Sequence, residues 1–208
     1  MIDIGFNINR AKAQFYEIFE SEVVISENSD EGRAELTVIF QDHRGKKFIR
    51  LLREHDPILQ YADNQKCADG IIIECTASDC QRAKIYIIEL KTTIGVMTWN
   101  DVKAQFRGAT LRALAFATSI GINHIEAISY CTAYLEDSEI KKIAEAIERQ
   151  SNLTGTVAKK RPIGINPSEI KEWNDTKITP FREQKNSFPH SYCILSREAD
   201  INKGLISM

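Results

Sequence analysis

The sequence lacks the features that mark several classes of protein. No apolar run among its 208 residues reaches the length of a membrane-spanning helix, and the amino terminus has no basic-then-apolar signal pattern. Its five cysteines show no CxxC spacing and its four histidines are scattered, so a zinc site is not expected. We therefore expect reduced thiols and a cytoplasmic protein with no membrane partner.

Two common catalytic motifs are also missing, and basic residues are slightly outnumbered by acidic ones. The chain has no glycine-rich phosphate loop and no serine-centred nucleophile elbow, which argues against a nucleotide hydrolase or an esterase. Its formal charge of −2 does not support a large nonspecific surface for nucleic acid. The densest basic cluster, Lys159-Lys160-Arg161, would either contact phosphates or simply be solvated.

Two apolar runs separated by a polar stretch predict a β-hairpin. The runs are Gly70-Ile71-Ile72-Ile73 and Ile85-Tyr86-Ile87-Ile88, and the stretch from Thr76 to Lys84 lies between them. The polar stretch places the turn near Asp79 or Cys80. Antiparallel pairing of the two runs follows from a turn at that point.

The predicted hairpin brings three charged side chains together. Asp69 comes to lie opposite residues 89 to 91, where directly facing Cβ atoms are about 4.5–5.5 Å apart. Because strand side chains alternate between faces, Glu89 and Lys91 project on the same side while Leu90 points the other way. Two carboxylates at that distance repel one another unless a cation or a proton lies between them.

A divalent metal ion would relieve this repulsion. Magnesium is usually held through one or two carboxylates, with water and substrate phosphate in its other positions, so Asp69 and Glu89 are sufficient protein ligands. Lys91 would then contact the attacking water or the scissile phosphate.

The acid at the start of one strand and Glu89-Leu90-Lys91 in the next resemble the motif of the PD-(D/E)xK nuclease superfamily, although Ala68 replaces the motif's proline. The resemblance implies a nuclease, either an endonuclease or an exonuclease, that hydrolyses phosphodiester bonds with Mg²⁺ or Mn²⁺. Nucleic acid is the implied partner, with DNA favoured and RNA left open, in defence, restriction or repair.

A long helix is predicted from Thr98 to Ser119, with a capping box at Thr98 to Asp101 and Gly121 as a stop signal. The resemblance implies that a glutamine on this helix, Gln105, supports the active site. An ordinary solvated role for Gln105 is the alternative. An apolar stripe with three- and four-residue spacing predicts the core face of the helix: Val102, Phe106, Ala109, Ala113 and Ala117.

A first helix is predicted over residues 7–22, and the resemblance implies that an acid near its end could be a further metal ligand. Glu17 and Glu20 fall on its polar side, whereas Glu22 lies on the apolar side if the helix extends that far. If the helix ends earlier, Val23-Val24-Ile25 begins a new segment and Glu22 is solvated.

The remaining pattern predicts an α/β sandwich with a mixed central sheet. The resemblance implies a three-layer αβββαβ core of the restriction-endonuclease-like type, over residues 1–150. Residues 151–208 are expected to pack on this core, with an edge strand at Tyr192 to Ser196. Strands are predicted at residues 34–40, 47–53 and 124–130, and a further helix at 138–150.

Two other interpretations stay open from the sequence. The chain could be a noncatalytic interaction subunit that kept the nuclease fold within a larger nucleic-acid-processing complex, or a structural protein with a coincidental Glu-Leu-Lys triplet. A homo-oligomer or a partner subunit could supply binding surface that the chain itself lacks.

Overall fold

The computed structural model describes residues 6–29, 32–52, 66–76, 80–137, 140–143, 145, 167–181, 187–198 and 201–208. The basic cluster Lys159-Lys160-Arg161 lies outside these residues. So does most of the helix predicted over 138–150, of which residues 140–143 are helical.

The described residues form two β-sheets and two longer helices, preceded by short 3-10 turns at Ile8–Arg10 and Ala13–Phe15. The helices are α1 (Val96–Ser119) and α2 (Pro167–Asn174). In chain order the strands are β1 (Tyr16–Phe19), β2 (Glu22–Ser29), β3 (Gly32–Ile39), β4 (Lys47–Leu51), β5 (Gly70–Cys75), β6 (Arg82–Thr93), β7 (His124–Glu136), β8 (Lys177–Ile178), β9 (Phe188–Ile194), β10 (Ser196–Glu198) and β11 (Ile201–Ser207).

The larger sheet is mixed, as predicted. Its strand order is β1-β4-β5-β6-β7-β9-β8. Along this order β1, β4, β5 and β6 pair antiparallel with one another, whereas β6, β7 and β9 run parallel. The predicted hairpin is confirmed as β5 and β6, in which Gly70 pairs with Ile88.

The smaller sheet was not foreseen as a separate layer. Its order is β10-β11-β3-β2, with β11 parallel to β3. The segment from Gln41 to Lys46 connects β3 in one sheet with β4 in the other. Gly45 lies in this connection with a φ of +72°, a conformation that glycine adopts without strain.

The described structure therefore has three layers: helix α1, the larger sheet and the smaller sheet. Helix α1 packs on one face of the larger sheet, where alternate residues of β5 and β6 such as Ile73 and Ile85 meet Phe106. The smaller sheet covers the other face, and its Leu36 packs against Ile72 in the second core. A mixed α/β fold is confirmed, while the layer opposite α1 is a sheet.

The first helix predicted over residues 7–22 is wrong. The segment forms the two short 3-10 turns and then β1, which pairs with β4, and β2 begins at Glu22. From Val23 onward every second side chain is buried, so the segment follows the period of a strand. The apolar residues 11 to 19 satisfied a helical spacing over too few turns to decide the structure.

The long helix is confirmed, but its start differs from the prediction. It begins at Val96 after an N-cap at Gly95, with no side-chain cap, so the capping box expected at Thr98 is wrong. All five predicted core residues are buried. Gly121 follows the helix with a φ of +89°, as its role as a stop signal requires.

The described part of residues 151–208 contributes strands to both sheets. β9 lies between β7 and the two-residue β8, and β11 lies beside β3. The predicted strand is found as β9, which begins earlier than expected, at Phe188. It is not the edge strand, because β8 pairs with its outer side. No described helix is long and apolar enough to span a membrane.

Candidate active site

The predicted acids and lysine meet at one edge of the larger sheet. Since Gly70 pairs with Ile88, Asp69 stands opposite Glu89, where the sequence placed it. The parallel strands β6 and β7 end at the same edge. Asp69, Glu89 and Lys91 all lie in odd-numbered positions that face α1, the same face as Ile71 and Ile87.

A hydrogen bond to the backbone fixes the carboxylate of Asp69. Its Oδ2 accepts the N–H of Leu90 at 2.9 Å, within the buried end of the hairpin. This bond holds the carboxylate against β6 beside the position of Glu89. It therefore explains how the acid is oriented before any ligand binds.

Glu89 is a fully buried acid, with 0% of its surface exposed. The ammonium of Lys91 lies against Oε1, and Oε2 has no hydrogen-bond donor among the described residues. Burial raises the pKa of Glu89 well above its usual range, and the charge of Asp69 raises it further, while Lys91 opposes the change. A buried carboxylate with an unsatisfied oxygen is costly, and a cation would relieve this cost.

Lys91 is held in its charged form by its neighbours. Burial disfavours the charge, yet the carboxylates of Glu89, Glu27 and Asp69 together raise the pKa of Lys91 above its ordinary value. Its side chain retains 19% exposure, so it is not fully enclosed by the protein. A charged lysine at this edge suits contact with a phosphate oxygen.

A third acid, Glu27, was missed by the sequence analysis. It extends from β2 in the smaller sheet, and its charge raises the pKa of both Glu89 and Lys91. Val23 and Ile25 precede it on the buried face of the same strand. A period of two across residues 23 to 27 would have indicated this position, but no strand was predicted after the helix over residues 7–22.

The acids predicted from the first helix are not brought to the site. Glu17 is on β1 and forms an ion pair with Arg50 at 3.0 Å. Glu20 and Glu22 are exposed. Of the two alternatives for Glu22, the second is confirmed: a new segment, β2, begins there and its carboxylate is exposed.

Gln105 is partly buried on α1. Its Oε1 is buried and has no hydrogen-bond donor among the described residues. Gly108 and Arg112, which lie on the same side of the helix, are buried as well. A purely solvated Gln105 is thus excluded, and its support of the active site stays a prediction.

Lys103 on α1 is partly buried. Its ammonium forms an ion pair with Glu172 at 3.1 Å, and this contact joins α1 to α2. The positive charge of Lys103 is thus paired with the carboxylate of Glu172 inside the fold. This ion pair makes Lys103 a weak candidate for contact with nucleic acid.

The row of residues beside Glu89 continues into an aromatic cluster. Thr132 pairs with Glu89 across β6 and β7, and its hydroxyl lies 2.9 Å from Nε2 of His190. The imidazole is buried against Trp99 and Trp173, with ring centroids at 5.1 and 5.7 Å. Sequence reasoning treated these residues as unrelated, because the pairing of β7 with β9 is not visible in local patterns.

The donor set fits a hard divalent cation. Asp69 and Glu89 supply carboxylate oxygens, and the unsatisfied Oε2 of Glu89 is available for one bond. No group of three or more His, Cys, Asp or Glu suited to a metal occurs among the described residues, so water and substrate would complete the shell. All five cysteines are free thiols, in agreement with the expectation from their spacing.

No protein family, curated protein or solved structure matches the chain. Its function is therefore inferred from the geometry of the residues at this edge.

Proposed function

We propose that the protein is a metal-dependent nuclease that hydrolyses phosphodiester bonds. One observation carries this proposal: Asp69, Glu89 and Lys91 converge at one sheet edge around a buried, incompletely satisfied carboxylate. The residue types match the chemistry, since acids hold Mg²⁺ or Mn²⁺ and a lysine stabilises charge on phosphate.

A second buried glutamate shows that burial beside a lysine is not sufficient for such a site. Glu74, on β5, has an ion pair from Lys46 at 3.0 Å to Oε1 and a hydrogen bond from the Tyr86 hydroxyl at 2.5 Å to Oε2. Each of its oxygens thus has a partner in the protein, an ion pair for Oε1 and a hydrogen bond for Oε2. Glu89 differs, because its Oε2 has no such donor in the described structure and a second acid, Asp69, stands opposite.

Each residue of the proposed site has a separate task. Asp69 and Glu89 would hold the metal ion, which when bound supplies a Lewis acid and lowers the pKa of a water nucleophile. Lys91 binds a nonbridging phosphate oxygen or orients the water. Glu27 adds negative charge that keeps Lys91 protonated, and the Leu90 N–H keeps Asp69 in place.

The order of elements supports the resemblance to a restriction-endonuclease-like core. β4, β5, β6, α1 and β7 follow one another in the chain and supply a βββαβ unit. Only the first helix of that core is replaced, by β1 and β2. We infer that this unit is the nuclease core and that the smaller sheet takes the place of the missing helix layer.

Cleavage assays with a matched pair of lysine variants test the proposal. The protein is incubated with Mg²⁺ or Mn²⁺ and with duplex DNA, single-stranded DNA or RNA. Lys91→Ala should lower the cleavage rate by about 10²–10³ because charge stabilisation at the phosphate is lost. Lys46→Ala, which breaks the comparable pair with Glu74, should leave the rate near wild type. Equal rates for wild type and Lys91→Ala would exclude Lys91 from the mechanism.

Thermal unfolding tests the metal ligands apart from catalysis. A metal ion at a hundredfold excess over its dissociation constant should stabilise the wild type by about 2.7 kcal/mol. Asp69→Asn retains an oxygen that can accept the Leu90 N–H but loses the negative charge, so this response should vanish. Lys91→Ala should keep the response. A full metal-induced shift in Asp69→Asn would remove Asp69 as a ligand.

A further inference from the structure

The aromatic cluster next to the site ends in a ring that is open to solvent. Tyr192 stacks on Trp173 with a centroid distance of 5.6 Å and an interplanar angle of 16°. Trp173 is buried, yet 46% of Tyr192 remains exposed. Tyr192 is thus the outermost ring of a stack whose inner member is fixed by Trp99, Tyr134 and His190.

Strand register places this ring beside the proposed catalytic edge. Glu89 pairs with Thr132, and Thr132 pairs with Tyr192, so the three form one row on the face that α1 covers. Neighbouring strands lie about 4.8 Å apart, so the backbones of Glu89 and Tyr192 are about 10 Å apart. Tyr192 therefore lies in the same row as the proposed metal ligand Glu89, two strands away from it.

The surface around Tyr192 is apolar as well as exposed. Ile194 is the next residue on the same face of β9, and it is 63% exposed. Together the two side chains form an apolar strip in contact with water, at the end of a rigid aromatic stack. A flat apolar ligand that covers the ring would remove this surface from water.

We propose that Tyr192 is a stacking platform for an unpaired nucleobase, and that the substrate of the site is therefore single-stranded nucleic acid. This inference rests on the proposed nuclease function. In an intact duplex, base faces are covered by their neighbours, so a base can stack on Tyr192 only when its strand is single or locally opened. Stacking also explains how a chain with a net charge of −2 could hold nucleic acid without a broad basic surface.

Binding and cleavage of a labelled single-stranded oligodeoxynucleotide test this platform. Binding is measured in EDTA, where cleavage does not occur, and kcat/KM is measured with Mg²⁺. Tyr192→Ala should weaken binding and lower kcat/KM by about 5- to 150-fold, whereas Tyr192→Phe should retain both because it keeps the ring. Leu205→Ala, at an exposed apolar position on β11, should have no effect.

An abasic position moved along the oligonucleotide provides a second readout that a structural role would not change. With the abasic site at one position, the wild type should bind and cleave as weakly as Tyr192→Ala does on the intact oligonucleotide. On that abasic oligonucleotide, Tyr192→Ala should be no weaker than the wild type. Unchanged binding and kcat/KM in Tyr192→Ala, or a wild type that binds and cleaves only duplex, would overturn the platform. Tyr192-dependent binding without any cleavage would overturn the nuclease function and leave the platform standing. A wild type that neither binds nor cleaves would overturn both.

Discussion

His190 illustrates how a single buried side chain carries a cost that the sequence does not reveal. It lies among Trp99, Phe106 and Trp173, and Thr132 is its hydrogen-bond partner at Nε2. Burial lowers the pKa of His190 to about 4 from an ordinary value of 6.5. The imidazole is therefore neutral in the folded protein over a pH range in which the unfolded chain binds a proton.

This difference predicts an acid-dependent loss of stability. Because the folded pKa is the lower one, the contribution of His190 is fully present above pH 6.5 and is lost as the pH falls toward 4. The expected loss is about 3 kcal/mol over that interval. Urea unfolding of wild type and His190→Gln at several pH values measures it, and the variant should show a smaller loss.

Exposed His124 provides the control for this measurement. His124→Gln should follow the wild-type pH dependence, since its side chain lies at the surface at the start of β7. Parallel curves for wild type and His190→Gln would show that His190 is not the group responsible.

Sequence alone predicted Asp69, Glu89 and Lys91 because their meeting depends on local rules. A short hairpin and a period of two are sufficient to place them. Glu27 and Thr132 reach the same edge through pairing between distant strands and packing between sheets. The alternation around Glu27 indicates which face of its strand it occupies, but nothing next to Glu27 or Thr132 indicates which distant residues they approach.

At the scale of the elements, close packing joins the two sheets near Gly204 on β11. A Cβ added there would lie 2.6 Å from Cδ2 of Leu195 and 3.1 Å from Cδ1 of Leu36. Both leucines are buried in the core between the sheets. The absence of a side chain at Gly204 thus allows β11 to approach this core.

A double-mutant cycle measures this approach. Gly204→Ala should destabilise the protein by about 1–3 kcal/mol because the new methyl group overlaps Leu195. Leu195→Val removes the overlapping carbon at a cost of about 1 kcal/mol. In the double variant, the shorter valine side chain leaves room for the methyl group, so the combined loss in urea unfolding should be smaller than the sum of the single losses. Strict additivity would show that the two residues do not meet.

Elements with a complete local pattern were predicted correctly. Helix α1 and the β5–β6 hairpin each contain their own periodicity and their own stop signals. The smaller sheet could not be predicted, because β3 and its parallel partner β11 are separated by most of the chain. The alternation in β2 was present, but it competed with a short helical pattern in the residues before it.

At the scale of the whole molecule, the last strands complete both sheets. β9 pairs with β7, whose residues from Tyr130 to Ala133 are buried, and β11 pairs with β3. The Leu195 N–H also bonds to the Tyr134 carbonyl at 2.6 Å between these strands. The residues expected to be an extension packed on a core thus share the cores of the described structure.

Two truncations test how far the core depends on these strands. A chain that ends at residue 198 loses β11 and exposes the edge of β3, whereas one that ends at residue 187 also loses β9 and exposes β7. Unpaired strand edges with buried apolar side chains favour aggregation. We expect the shorter chain to lose cooperative unfolding and the longer one to keep it with a lower melting temperature, as followed by circular dichroism. A cooperative transition at the wild-type temperature in the 187-residue chain would show that residues 1–187 fold independently.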